Sequence, residues 1–224
     1  MTEEENIIKV GSLPDIVPVF PLPGALVFPG ASLPLNIFEP RYLSMTNDSL
    51  AKGRWIGMVQ PRDTMEHPVP DKVGIFEVGS LTRITSYENI DEKRVLITLT
   101  GITRFNIESE LEPKKGYRIV KTNYGRFEND LQVSSDKLSD RGRLISAAES
   151  YFQRMIEEID LSDTSEIDDA SLLNALCMAS PFTVAEKQAL LECSGVAERG
   201  ELLSSLMEMA SLGDDTSSLS DLAH

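Results

Sequence analysis

The sequence predicts an α+β protein, a small curled β-barrel with open ends followed by a C-terminal α-helical bundle. Three observations predict it. The hydrophobic period changes along the chain from extended to helical. The charge changes at the same place: residues 1–126 carry 16 acidic and 15 basic side chains, and residues 127–224 carry 20 and 6. Between the two parts lies a polar, linker-like stretch, GRFENDLQVSSDKLSDRGR, which begins at Gly125. The barrel is therefore assigned to residues 14–126 and the bundle to 140–211. The polar tail 212–224 is expected to be disordered.

Residues 16–22 read as the first strand, with Pro18 and Pro21 confining it to an edge or a bulge. A helix follows, started by Glu39-Pro40 and stopped by Gly53. Residues 55–60 form a short apolar strand that runs into the turn at Pro61. Residues 74–87 and 94–107, rich in Val, Ile, Thr and Phe, pair as a long antiparallel hairpin. Val95, Ile97 and Leu99 should share one face of it, and Leu96, Thr98 and Thr100 the other. Gly79 and Gly101 interrupt its arms, where bulges would let the ribbon curl. Residues 117–124 add a further strand.

Past the linker, Leu144, Ala147, Ala148, Tyr151, Phe152, Met155, Ile156 and Ile159 recur at helical spacing, so a helix is expected to run as far as 159. A second helix covers 172–179 and is stopped by Ser180-Pro181. Thr183 and Glu186 have the spacing of a capping box that opens a third. Residues 197–210 carry Leu202, Leu203, Leu206 and Met209 as the stripe of a fourth.

The motifs of catalysis are missing. His67 and His224 are the only histidines, and neither sits in a cluster with metal-ligand spacing, so no metal is expected. Gly-Lys never occurs, which excludes a P-loop. No G-x-G-x-x-G, G-x-S-x-G or H-E-x-x-H is present either, and no cofactor is expected. The acidic run from Asp160 to Asp169 lacks the glycine of a calcium loop and reads as a solvated connection. Cys177 and Cys193 lie in apolar helical patterns and are expected to be reduced. The acidic N-terminus, MTEEENIIKVG, is unlike a secretion signal, which points to the cytoplasm. No apolar run approaches the length of a membrane span, and a membrane is not an expected partner.

One stretch is more specific. Residues 17–42, VPVFPLPGALVFPGASLPLNIFEPRY, run from an apolar strand through Phe20-Pro21-Leu22 and Val27-Phe28-Pro29-Gly30 to Glu39-Pro40-Arg41-Tyr42. Further on stand Phe76-Glu77-Val78-Gly79-Ser80 and Leu99-Thr100-Gly101-Ile102-Thr103-Arg104-Phe105. In this order the motifs resemble the N-terminal substrate-binding domain of Lon proteases, in the variant found in short stand-alone bacterial members. The resemblance spans about residues 14–210. It implies a PUA-like β pseudo-barrel followed by a helical bundle. Complete Lon proteases continue into an ATPase module and a Ser-Lys peptidase domain that this sequence does not reach. The expectation is therefore a non-enzyme, with no catalytic residue carried over.

The function expected from the resemblance is non-catalytic protein binding, as an adaptor or sensor for unfolded or exposed polypeptide segments in protein quality control. A protease or chaperone would be the further partner. Polypeptide recognition needs exposed apolar side chains beside sheet edges or grooves. The candidates are Phe28, Leu33, Phe38 and Tyr42, with Met65 from the following loop, since no strand pattern demands their burial. The alternative is RNA binding, known among PUA-like barrels. It would need Arg83, Arg94, Arg104, Lys114, Lys115 and Arg118 to converge on one face. The acidic second part disfavours nucleic acid as a partner.

Overall fold

A computed structural model describes residues 10–62, 69–70, 73–91, 93–132, 136–155 and 164–213. Six strands, β1 (Ile16–Pro21), β2 (Ser32–Ile37), β3 (Trp55–Val59), β4 (Val78–Asp91), β5 (Arg94–Lys114) and β6 (Tyr117–Asn123), form one sheet in the order β2-β5-β4-β3-β1-β6. A further pairing of β5 with β6 closes the sheet on itself. Helix α1 (Pro40–Leu50) joins β2 to β3, and α2 (Arg141–Phe152), α3 (Asp169–Ala179), α4 (Val184–Glu192) and α5 (Val196–Gly213) follow the sheet. No helix among the described residues is long and apolar enough to cross a membrane.

β1 resolves the puzzle of its prolines. It pairs antiparallel with β6 from Ile16 to Val19 and parallel with β3 from Val19 to Pro21. The strand changes partner at Val19, so each proline lies where it needs a ladder on one side only. Successive residues then serve two cores. Val17 and Val19 join Leu81, Phe105 and Val120. Phe20 joins Ile56, Ile97, Leu99 and the α1 residues Tyr42 and Met45. The rings of Phe20 and Tyr42 lie 4.1 Å apart, so α1 is fastened to the sheet by aromatic contact.

β2 is an element that the pattern passes over as a lead into the helix. It runs antiparallel to β5, with Leu33 opposite Leu99 and Ile37 opposite Val95. On β5 the expected faces hold: Val95, Ile97 and Leu99 are buried and Leu96 is exposed. The long β4–β5 ladder breaks register between Leu81 and Thr82, so that Thr82 pairs with Gly101 and Ile102 bulges.

The contacts divide the chain into two units. One takes the described residues within Met1–Ser134 and Pro181–Leu191, and the other those within Ser135–Ser180 and Glu192–His224. Nearly all of α4 thus belongs with the sheet, although it follows the charge boundary. Polar side chains hold it there. Gln60 Nε2, at the end of β3, donates to Gln188 Oε1 (3.1 Å) and to the Val184 carbonyl (3.3 Å). Gln188 Nε2 donates to the Val78 carbonyl (3.1 Å), and Lys187 Nζ to that of Gly24 (2.8 Å). The helix begins with the expected capping box: Thr183 Oγ1 accepts from the Glu186 amide (3.3 Å), and Glu186 Oε2 from the Thr183 amide (2.8 Å).

Within the second unit, Asp140 caps α2 by accepting from the Arg143 amide, and Asp168 caps α3 by accepting from that of Ser171. Arg143 donates twice to Glu208 and so ties α2 to α5 (2.8 and 2.7 Å). Arg141 joins Asp169 and the carbonyls of Thr164 and Ile167. Two expectations need correction. α2 ends at Phe152, where the Met155 amide bonds back three residues to the Phe152 carbonyl, and Met155 is exposed. On α5 the inward residues are Leu203, Leu206 and Met207, and Met209 points outward. Ile156, Ile159, the acidic loop up to Asp163 and the tail from residue 214 lie outside the described residues. Cys177 and Cys193 are buried and are not joined in a disulfide.

Candidate functional site

The loop between β1 and β2 carries the first candidate, Phe28. Its carbonyl lies over Gly101 of β5, where Pro29 makes a bridge. The Gly30 amide donates to the Gly101 carbonyl (3.0 Å), and the Gly101 amide to that of Ala31 (2.9 Å). Gly30 takes φ +79°, which a side chain would disfavour. The proline-glycine loop is thus laid flat on the sheet, and Phe28 is wholly buried beneath it. This corrects the expected placement of two candidates. Phe28 belongs to the core because its loop is clamped to β5, and Tyr42 because it faces Phe20. Leu33 is half-buried against the same core. Met65 lies outside the described residues.

Among the described candidates Phe38 alone stands out, with 62% of its surface exposed. It follows directly on the last rung of the β2–β5 ladder, Ile37 opposite Val95, and comes beside the end of the β4–β5 hairpin. Phe38, Asp91, Lys93 and Arg94 line an open groove of about 610 Å³. The hairpin end is stiffened from within: Arg94 Nε donates to Asp91 Oδ2 (2.7 Å), and the Lys93 amide to Asp91 Oδ1 (2.9 Å). The Arg94 guanidinium and the Lys93 amide hold the Asp91 carboxyl below the usual carboxylate range. Ile90, Leu96 and Tyr87 on the same hairpin are also exposed. An exposed aromatic ring beside the Asp91–Arg94 ion pair offers apolar contact without a reactive group. Sequence reasoning did not single out Lys93, which comes beside Phe38 only through the pairing of β4 with β5.

The six cations of the RNA alternative are already engaged within the protein. Arg104 is buried and paired with Asp130 (2.7 Å), and Arg94 with Asp91 (2.6 Å). Lys114 and Lys115 both hold Asp48 (2.8 Å each), and Arg118 holds Glu110. Arg83 lies over the Trp55 ring, 5.3 Å from its centroid. With five of the six held by four carboxylates, nothing here supports phosphate binding. Asp48 is gripped by both lysines and by the Tyr117 hydroxyl (2.7 Å), which together push its pKa far down. Burial, with Asp48 as its partner, pushes Tyr117 up. Among the described residues no group of three or more His, Cys, Asp or Glu could hold a metal ion.

Comparison with known proteins agrees with this architecture. The chain is similar to the Lon protease of Flavobacterium johnsoniae, 27% identical over 206 residues that cover 88% of this chain and 24% of that one. It is similar also to the Lon protease of Dictyoglomus thermophilum, 21% identical over 198 residues, again 88% of this chain but 25% of that one. The chain therefore spans about a quarter of the length of these relatives. Among solved structures, the Lon N-terminal domain protein from Xanthomonas campestris shares the fold, with a TM-score of 0.58 and 21% identity, over 85% of this chain and 97% of that one. The N-terminal domain of the Mycobacterium avium complex Lon protease does so with a TM-score of 0.53 and 18% identity, over 86% and 98%. Residues 16–209 match the family described as the ATP-dependent protease La (LON) substrate-binding domain, and the chain belongs to that family.

Proposed function

We propose that the protein binds unfolded or otherwise exposed polypeptide segments without transforming them, as an adaptor or sensor in cytoplasmic protein quality control. Family membership over residues 16–209 carries this reading, since the matched domain is one for binding substrate. The exposed Phe38 groove supports it by offering a contact surface of the required chemistry. A protease or chaperone would receive the bound segment. The test is a titration of fluorescein-labelled, reduced casein with the purified protein, with ATP turnover and casein cleavage followed in parallel. Saturable binding with neither turnover nor cleavage is expected, and Phe38→Ser should weaken binding several-fold with the melting temperature unchanged. Absence of casein binding overturns the reading. Cleavage or ATP turnover that survives further purification overturns its non-catalytic part.

A further inference from the structure

Every strand of the sheet but one pairs with at least two others. The exception is β2, which pairs with β5 alone, so among the described residues it is unpaired along the whole of its other side. Alternation decides what that side offers. The Gly101 amide donates to the Ala31 carbonyl, which makes Ala31 and Gly101 a hydrogen-bonded pair, and such pairs alternate along an antiparallel ladder. Leu33, Leu35 and Ile37 therefore bond to β5, whereas Ser32, Pro34 and Asn36 turn their main-chain groups to the open side. Two contacts agree. The carbonyl of Thr98, opposite Pro34, accepts from Thr85 Oγ1 of β4 (3.2 Å) and so points away from β2. Ser32 Oγ and Thr100 Oγ1 lie 3.3 Å apart, the close side-chain approach of a pair without main-chain bonds.

Ser32 and Asn36 each present an N–H and a C=O to the open side, and Pro34 between them presents only its C=O. The three side chains are exposed and uncharged, although sheet edges are commonly blocked by charge. Main-chain donors and acceptors two residues apart are matched in full by another extended main chain. A second copy of β2 matches them less well. Aligned antiparallel on itself about Pro34, it would set proline against proline, and the central rung would have no donor. A foreign segment would lose only one bond of that rung. Phe38 follows two residues after Asn36, at most about 7 Å along the chain, so a strand laid on this edge comes within reach of the exposed ring.

We propose that a bound polypeptide segment adds to the free edge of β2 as a further strand, main chain to main chain through Ser32, Pro34 and Asn36, and sets an apolar residue against Phe38. The inference rests on the polypeptide-binding reading above and deepens it. Recognition is of the main chain, which suits segments of unrelated sequence.

The probe is reduced casein, added to saturation to the isotope-labelled full chain while amide hydrogen exchange is followed residue by residue by NMR. Casein should slow exchange at Ser32 and Asn36 roughly tenfold or more, and change little at Leu33, Leu35 and Ile37, which β5 already protects. Asn36→Pro removes one donor from the edge without removing a bond to β5, and it should weaken casein binding about fivefold. Asn36→Ala, which keeps the amide, should bind more tightly than Asn36→Pro. Exchange is read on the unaltered protein, so the test stands even where the proline variant melts early. Casein binding with unmoved exchange at Ser32 and Asn36, undiminished binding by Asn36→Pro, or equal losses in the two variants overturns the edge pairing and leaves the general reading intact. Exchange at both amides that slows with rising concentration of the protein alone gives the edge to a second copy and overturns the polypeptide as its occupant. Failure of casein to bind overturns both readings.

Discussion

Gly101 faces the carbonyl of Phe28 so closely that a Cβ added to it would lie 2.1 Å from the oxygen. The opposing atom is backbone, in a loop fastened on both sides of the contact, and cannot turn aside as a side chain would. Gly101→Ala should therefore destabilise the protein by about 3 kcal/mol, the upper end of ordinary overpacking. Gly11→Ala, where nothing lies within 4 Å of the added Cβ, should cost far less. Urea midpoints of the two variants check this, and equal midpoints would show that the loop can lift from β5.

Arg104 is the largest fully buried side chain of the sheet unit, 2% exposed. It donates from Nε and Nη2 to the two oxygens of Asp130 (2.9 and 2.7 Å), and from Nη1 to the Leu191 carbonyl near the end of α4 (2.9 Å). Removing one partner strands a buried charge, so Asp130→Ala should cost about 3–5 kcal/mol. Replacing both residues, as Arg104→Met with Asp130→Ala, should cost less than the two single changes added together. A double-mutant cycle in urea measures the coupling, and additive costs would deny it.

Asp48 contributes to the response to acid. Lys114, Lys115 and Tyr117 hold its carboxyl far below the ordinary carboxylate range. A group whose pKa is depressed by folding stabilises the native state above its unfolded pKa, near ~3.9. That contribution is lost as pH falls through the lower, folded value. The stability difference between wild type and Asp48→Asn should accordingly be constant from pH 7 down to about pH 5 and shrink below about pH 4. Urea midpoints at pH 7, 5 and 3 test the sign. A difference that grows in acid would contradict it.

Phe28 and Phe38 belong to one loop-strand segment and should behave oppositely. Phe28→Ser removes a wholly buried ring and should cost about 3–5 kcal/mol. Phe38→Ser, at an exposed position, should stay within about 0.5 kcal/mol. Thermal melts of the two variants distinguish them directly.

What was legible in the sequence was what short-range pattern decides. The faces of β5 follow from strict alternation through Val95, Ile97 and Leu99, and the α4 cap from groups three residues apart. The motifs at residues 17–42 and 99–105 carried the fold family. What stayed hidden depends on distant partners. β2 is half-buried and contains Pro34, and it becomes a strand only through β5, about sixty residues on. The burial of Phe28 is decided at Gly101. Lys187 and Gln188 look like the solvent face of α4, yet both are buried because they meet the Gly24 and Val78 carbonyls. The candidate groove was half legible: Phe38 was among the residues singled out, but the hairpin end that makes a groove of it was not.

The change of partner at Val19 also has a consequence in time. Val17 finds its rung opposite Val120 only when β6 exists. At synthesis rates of about 5–20 residues per second, the intervening chain takes on the order of 5–20 s to emerge. For that interval the first strand stands beside the ribosome with half its ladder unfilled, an apolar ribbon able to join a neighbouring nascent chain. Pro18, Pro21 and Pro23, each without a hydrogen to donate, make it a poor template for such pairing. In the finished sheet Pro18 takes a rung opposite Ile119 and Pro21 one opposite Val59.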